Sequence, residues 1–251
     1  MKRIYAGAAV LALFVFCCVS VSRAAPPAHE ILDAVDDLYR SSSSSGRVTM
    51  RIVNKNWQRE LTMDMWSKGK DRSLIRILSP KKEKGTATLR AGNEIWNYLP
   101  KVKRVIKLPS SMMSDSWMGS HFTNDDLVKE SRMADDYEYG INFEGEREGA
   151  RVVSIACTPL PDAAVVWGRI DVTVDAATLI PVKIDYFNED LELTRTMEFS
   201  DIKEFGGRKV PSVMTIRPAD EPDEKTVVIY ERLEFDVDLD DGIFSLRNLQ
   251  K

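Results

Sequence analysis

Two periods of hydrophobic recurrence divide this chain. In residues 29–40, Ile31, Leu32, Val35, Leu38 and Tyr39 fall at i, i+1, i+4, i+7 and i+8, the apolar stripe of one helix. Glu30, Asp33, Asp36 and Asp37 take the other positions and favour its N-terminal half. The pattern predicts a helix over His29–Arg40, and Ser41–Gly46 then reads as a flexible connector. From Arg47 the period is two. Val48, Met50 and Ile52 alternate with Thr49 and Arg51, and Leu61, Met63 and Met65 alternate with Thr62 and Asp64. Further strands are predicted at 74–78, 86–90, 95–99 and 102–108, divided by Gly69, Pro80, Gly92 and Pro100. Short turns at even spacing imply an antiparallel meander. Trp66, Trp96 and Tyr98 put bulk on the second face of their strands, which calls for a second packed layer or a ligand.

The alternation stops at Ser116–Glu130, S-W-M-G-S-H-F-T-N-D-D-L-V-K-E. Thr123 or Asn124 is placed to cap a helix, with Asp125 and Asp126 in its first turn, where the helix dipole favours negative charge. Trp117, Met118 and Phe122 precede the cap and press onto a sheet, either as a core-filling crossover or as a lid over an apolar cavity. Strands then resume. Residues 137–146 and 150–157 form a hairpin across 147–149, followed by strands at 165–175, 182–186, 193–199, 213–217 and 225–235. Leu193, Arg195, Met197 and Phe199 share one face of their strand, Pro181 suits a strand start, and Phe244 is expected to pack back onto the body.

Residues 1–24 carry Lys2 and Arg3, an apolar run over 4–19 and the small residues Ser22 and Ala24, the pattern of a cleavable secretion signal. The mature chain, 25–251, is then one exported β-rich domain of the periplasm. Bulky Phe14, Val15 and Phe16 before Cys17 and Cys18 argue against lipidation, and both cysteines leave with the signal. The remaining Cys157 cannot form an internal disulfide. In the alternation Val153, Ile155, Cys157 it reads as a buried small hydrophobe.

Catalytic chemistry is sparse. The chain has two histidines, His29 and His121, which excludes a His-rich metal site; no cofactor and no metal are expected. His121 beside Ser120, with Asp115 and Asp125 nearby, is the one constellation resembling a triad, and neighbours on a single loop rarely reach that geometry. There is no G-x-S-x-G elbow, phosphate loop, C-x-x-C or dinucleotide fingerprint. No enzyme is expected. Nine methionines follow the signal, and Met112, Met113 and Met118 cluster around the central stretch, an adaptable apolar surface or the filling of an irregular core.

The W-M-G-S-x-F-x-x-D-D-L pattern at 117–127, preceded by L-P-S-S-M-M, resembles a hallmark of the LolA-like family of periplasmic lipoprotein-sorting proteins. D-A-A-T-L-I-P-V-K-I-D-Y at 175–186 is similar to another part of that family, and His121 stands where the family usually has Asp. The resemblance implies a mainly β (α+β) fold: a large curved antiparallel sheet forming an open half-barrel, with a few helices on its concave face. It also implies carriage of the acyl chains of a lipoprotein or lipid from inner to outer membrane. An inner-membrane transporter and an outer-membrane acceptor would be partners. An accessory lipid-binding subunit of an envelope transporter and a periplasmic lipid or stress sensor are the alternatives. On this reading the ligand-binding set is Trp66, Trp96, Tyr98, Met112, Met113, Trp117, Met118, Phe122 and Leu127.

Charge adds one expectation. Net charge is −4, yet residues 47–107 hold 16 Lys/Arg against 5 Asp/Glu, whereas 141–251 hold 13 against 23. Nucleic acid does not fit an exported acidic chain without a nucleic-acid module. The basic segment, with Lys101, Lys103 and Arg104 as its candidate docking residues, either docks an acidic partner or an anionic membrane, or is spread over a solvated face.

Overall fold

The computed structural model describes residues 26–251 apart from 40, 70, 93, 129–132 and 164. The expected secretion signal with Cys17 and Cys18, Arg40, and the last two residues of the central stretch lie outside the described residues. Thirteen strands form one open antiparallel sheet. They are β1 (Ser43–Asn54), β2 (Trp57–Lys68), β3 (Arg72–Ser79), β4 (Ala87–Ala91), β5 (Glu94–Leu99), β6 (Arg104–Lys107), β7 (Tyr137–Arg147), β8 (Ala150–Pro159), β9 (Arg169–Asp175), β10 (Pro181–Phe187), β11 (Leu193–Phe205), β12 (Arg208–Pro218) and β13 (Lys225–Phe235). Their order across the sheet is β6-β5-β4-β3-β2-β1-β13-β12-β11-β10-β9-β8-β7, so one long-range pairing, β1 with β13, joins two meanders. Edges remain at β6 and β7.

Three apolar clusters hold the sheet's covers in place. Helix α1 (Ala28–Asp36) buries Ile31, Leu32 and Val35 on Val153, Ile155, Val172 and Ile184 of β8–β10. It ends at Asp36, shorter than the periodicity predicts, because the backbone turns at Asp37–Tyr39 and Tyr39 donates to the Pro211 carbonyl at 2.8 Å. A second cluster joins Val48, Met50, Ile52, Leu61, Met63 and Ile77 to Trp117. A third, on the opposite face of β2–β5, lies under the C-terminal segment: Leu239, Phe244 and Leu249 cover Leu74, Ala87 and Leu89. Phe244 does pack back, and this segment is the second layer that the bulk of Trp66, Trp96 and Tyr98 called for.

The serine run is not a linker. Ser43, Ser44 and Ser45 are buried in β1 between β13 and β2. Their hydroxyls are satisfied by the Val237 carbonyl, Ser67 (2.7 Å) and Glu234 (3.1 Å), which removes the desolvation cost that ordinarily keeps serine outside. Strand pairing that far in the chain is invisible to a local reading of S-S-S-S-S-G. Similarly β9 begins at Arg169, four residues later than alternation suggests, and 165–168 is a loop.

Candidate functional site: an apolar cavity beside a pinned loop

The central stretch folds on itself before it touches the sheet. Ser116 and Thr123 form an isolated bridge, and the Trp117 N–H donates to the Phe122 carbonyl at 2.8 Å. Between them Met118 and Gly119 both take left-handed backbone, φ 54° and 72°. Gly119 lies against Arg59 and Trp57, where a Cβ would come to 3.2 Å from the Arg59 guanidinium, so the glycine of W-M-G answers both a conformation and a close approach. Ser116 donates to the Ser120 carbonyl and Ser120 to the Trp117 carbonyl, each at 2.7 Å. Buried Asn124 donates to the carbonyls of Met112 and Asp115. Thr123 caps the short helix α2 (Asn124–Val128): its hydroxyl accepts from the Asp126 N–H at 3.1 Å, and Asp126 accepts from the Thr123 N–H at 2.8 Å, a reciprocal capping box.

Three attachments hold this loop on the sheet. The Trp117 indole donates to Thr88 at 3.2 Å. The His121 N–H donates to the hydroxyl of Thr226, and the imidazole meets Thr226 at 2.8 Å and Glu224 at 3.3 Å. Arg195 of β11 donates to both carboxylate oxygens of Asp126, at 2.8 and 2.7 Å, and to the His121 carbonyl at 3.2 Å. The Arg195 side chain is 7% exposed and lies over the rings of Trp167 (4.6 Å) and Tyr186 (4.5 Å). Burial works against ionising Asp126, but the hydrogen bonds and charge of Arg195, with those from Thr123, outweigh it and hold the carboxyl below its ordinary value. Burial likewise opposes the charge on Arg195, and the Asp126 carboxylate overcomes it.

Beneath the loop lies a cavity of about 280 Å³. Val35, Leu38 and Tyr39 wall it on one side and Phe122 and Asp126 of the loop on another. Val165–Trp167 close a third side, and Ile184, Tyr186, Arg195 and Met197 form the sheet floor. The lining is mostly apolar; its polar members are the Asp126–Arg195 ion pair, the tyrosines and Asp36, whose carboxylate accepts from the Met133 N–H at 3.0 Å. Burial pushes the Tyr186 hydroxyl up to about 12, so it stays neutral at physiological pH.

The structure divides the residues expected to bind ligand. Phe122, half-buried and packed against both the first and second clusters, is the one that lines the cavity. Trp117 is 3% exposed in the second cluster, and Met118 and Leu127 pack against that same cluster. Met112 is exposed, and Met113 is partly buried near it. Trp66, Leu74, Leu89 and Trp96 form one cross-strand row, and Trp66, Trp96 and Tyr98 pack with the C-terminal segment on the face away from the lid. A two-residue period says that two faces exist but not which cover each receives. Lys101, Lys103 and Arg104 are exposed at the β5–β6 turn.

Residues the sequence reading did not assign to the site are Arg195, Trp167 and Tyr186. Arg195 left a signal, a charge on the apolar face of an alternating strand, which demands a buried partner. The Ser120–His121 constellation is dispersed, since Ser120 donates to the Trp117 carbonyl and His121 turns to Thr226 and Glu224. Cys157 is buried in the first cluster, and desolvation pushes its thiol up to about 12. Among the described residues no three His, Cys, Asp or Glu converge as metal ligands, and no helix is long and apolar enough to cross a membrane.

Comparison with known proteins fits this geometry. Among solved structures, a DUF1329 family protein from Desulfovibrio piger is 24% identical, with a TM-score of 0.79 over 88% of this chain and 97% of that one. A putative outer membrane lipoprotein-sorting protein domain from Vibrio parahaemolyticus is 21% identical, with a TM-score of 0.76 over 89% and 98%. A LolA superfamily protein from Nitrosomonas europaea is 21% identical, with a TM-score of 0.74 over 89% and 100%. No curated protein matches the chain. A family model described as "Uncharacterized protein" matches residues 69–251, most of the chain, with the whole central loop and every wall of the cavity except the one at 35–39, and the chain belongs to that family, with the LolA-like fold that its central motif resembles.

Proposed function

We propose that this chain is an exported periplasmic carrier that shelters the acyl chains of a lipoprotein or another lipid during transfer from the inner to the outer membrane. The observation that carries the reading is the mostly apolar cavity walled on one side by a self-folded loop that a buried ion pair fastens to the sheet. Two of the similar structures bear lipoprotein-sorting or LolA names, which accords with it. No bond is made or broken in such a role; the protein lends apolar surface.

The cavity volume bears on how it would work. At about 280 Å³ it falls at or below the small end of ligand pockets, roughly 300–1,000 Å³. A long acyl chain therefore needs the lid to move. Each buried methylene contributes roughly 0.8 kcal/mol, so a chain of ordinary length offsets the loss of lid contacts, and reclosure favours release. Lys101, Lys103 and Arg104 serve as a basic docking patch for an acidic partner.

Protein purified from periplasm without detergent is expected to carry acyl lipid detectable by mass spectrometry, displaceable by an apolar dye. Folded protein that yields neither lipid nor saturable dye binding would overturn the reading.

A further inference from the structure

Strand alternation gathers one set of turns at a common end of the sheet. The registers place there the turns after β1, β3 and β5 and the loops before β9, β11 and β13. On the β6 side, Gly85 lies against Pro100, where a Cβ would sit 3.6 Å from the ring, so the β3–β4 and β5–β6 turns make one tip. Lys81, Lys82, Lys84, Lys101, Lys103 and Arg104 are exposed on it and form no ion pair among the described residues. Val102 crowns it at 58% exposure.

The other side is built the same way with the opposite charge. Gly168 packs on the Asn188 carbonyl so closely that a Cβ would come within 2.3 Å. That contact fuses the loop bearing cavity residues Val166 and Trp167 to the β10–β11 turn. The turn carries Glu189, Asp190 and Glu192 around Leu191, which is 59% exposed, and the β12–β13 loop adds Asp220 and Asp223. Among the described residues, the two most exposed large hydrophobic side chains thus stand on tips of opposite charge at one end of the sheet.

We propose that this end is a self-complementary docking surface for a second copy of the chain. With a two-fold axis crossing the end, the basic tip of each copy meets the acidic tip of the other, and Val102 and Leu191 are covered together. A partner of one sign, such as an anionic bilayer, attracts one tip and is repelled by the other. A second copy matches both, and charge complementarity of this kind sets register and partner choice. Because the charges are exposed, the association is weak and salt-sensitive, screened over about 8 Å at physiological ionic strength. The acidic tip carries a wall of the cavity, so docking covers the loop 165–167 in each copy.

Sedimentation equilibrium of the full mature chain at about 20 mM and about 300 mM NaCl tests this without any cargo. A dimer is expected at low salt and its loss at high salt. Reversing the basic tip (Lys101→Glu, Lys103→Glu, Arg104→Glu) or the acidic tip (Glu189→Lys, Asp190→Lys, Asp220→Lys) should each weaken self-association at least about tenfold. Mixing the two variants should favour a one-to-one dimer over either variant's self-association, since the reversed residues of one copy then face the reversed residues of the other and the unaltered tips still attract. Circular dichroism checks folding, and the uncharged variants Val102→Ser and Leu191→Ser should weaken the dimer without changing its salt slope. A wild-type monomer at both salt concentrations overturns the proposal, as does a dimer indifferent to the reversals or a mixture that stays monomeric. A monomer that binds phosphatidylglycerol vesicles through the basic tip overturns it in favour of a bilayer.

Discussion

Arg195 and Asp126, 69 positions apart, meet through two parallel hydrogen bonds of 2.8 and 2.7 Å, joining the floor of the cavity to the loop that walls it. Both side chains are largely withdrawn from water, at 7% and 19% exposure. An ion pair in such a place gains little over an apolar pair but is costly to break singly, because the survivor stays buried and unpaired.

Arg195→Met is therefore expected to destabilise the protein by about 3–5 kcal/mol, and the double variant with Asp126→Leu by clearly less. Denaturant melts of the two single variants and the double variant close the cycle. Equal, additive losses would show that the two side chains act independently.

Acid should loosen the same contact. A depressed folded pKa adds stability that is fully present above the unfolded value, about 3.9 for Asp, and is lost as pH falls through the folded value. The Asp126 carboxyl is depressed, so its contribution is intact at neutral pH and declines below about pH 4. The difference in stability between wild type and Asp126→Asn should shrink as pH drops through that window, measured by melts at fixed pH.

Trp117 and Phe122, five residues apart, should behave differently. Trp117→Ala removes a buried indole with a hydrogen bond to Thr88 and is expected to cost about 3–5 kcal/mol. Phe122→Ala touches a half-buried ring at the cavity wall and should cost less, about 1–2 kcal/mol, while weakening binding of an acyl ligand or apolar dye. Melts and ligand titrations on the same samples distinguish them; core-sized destabilisation by Phe122→Ala with unchanged binding would make this ring structural.

Export predicts a mature N-terminus at Ala25 without acyl modification. Intact-mass measurement on periplasmic protein decides this, and a lipid-sized increment on Cys17 or Cys18 would contradict it.

The periodicity of the chain by itself determined that this is a β-meander with one amphipathic helix, and it located the single segment that breaks the rhythm. Both follow from contacts between near neighbours: alternation marks strands with two distinct faces, and Thr123 with Asp126 encodes its own cap within four residues. Even the closure of the Trp117–Gly119 turn is local. What only the tertiary structure decided is which surface each face meets. Trp66 and Trp96 read as cavity residues until the C-terminal segment, more than a hundred positions away, takes their face. Ser43–Ser45 read as a linker until Ser67 of β2, Glu234 of β13 and the Val237 carbonyl just past β13 supply partners for their hydroxyls. Arg195 became the centre of the site because an ion in a low-dielectric wall is tolerated only beside its counterion, and Asp126 reaches it through the fold and not through the chain.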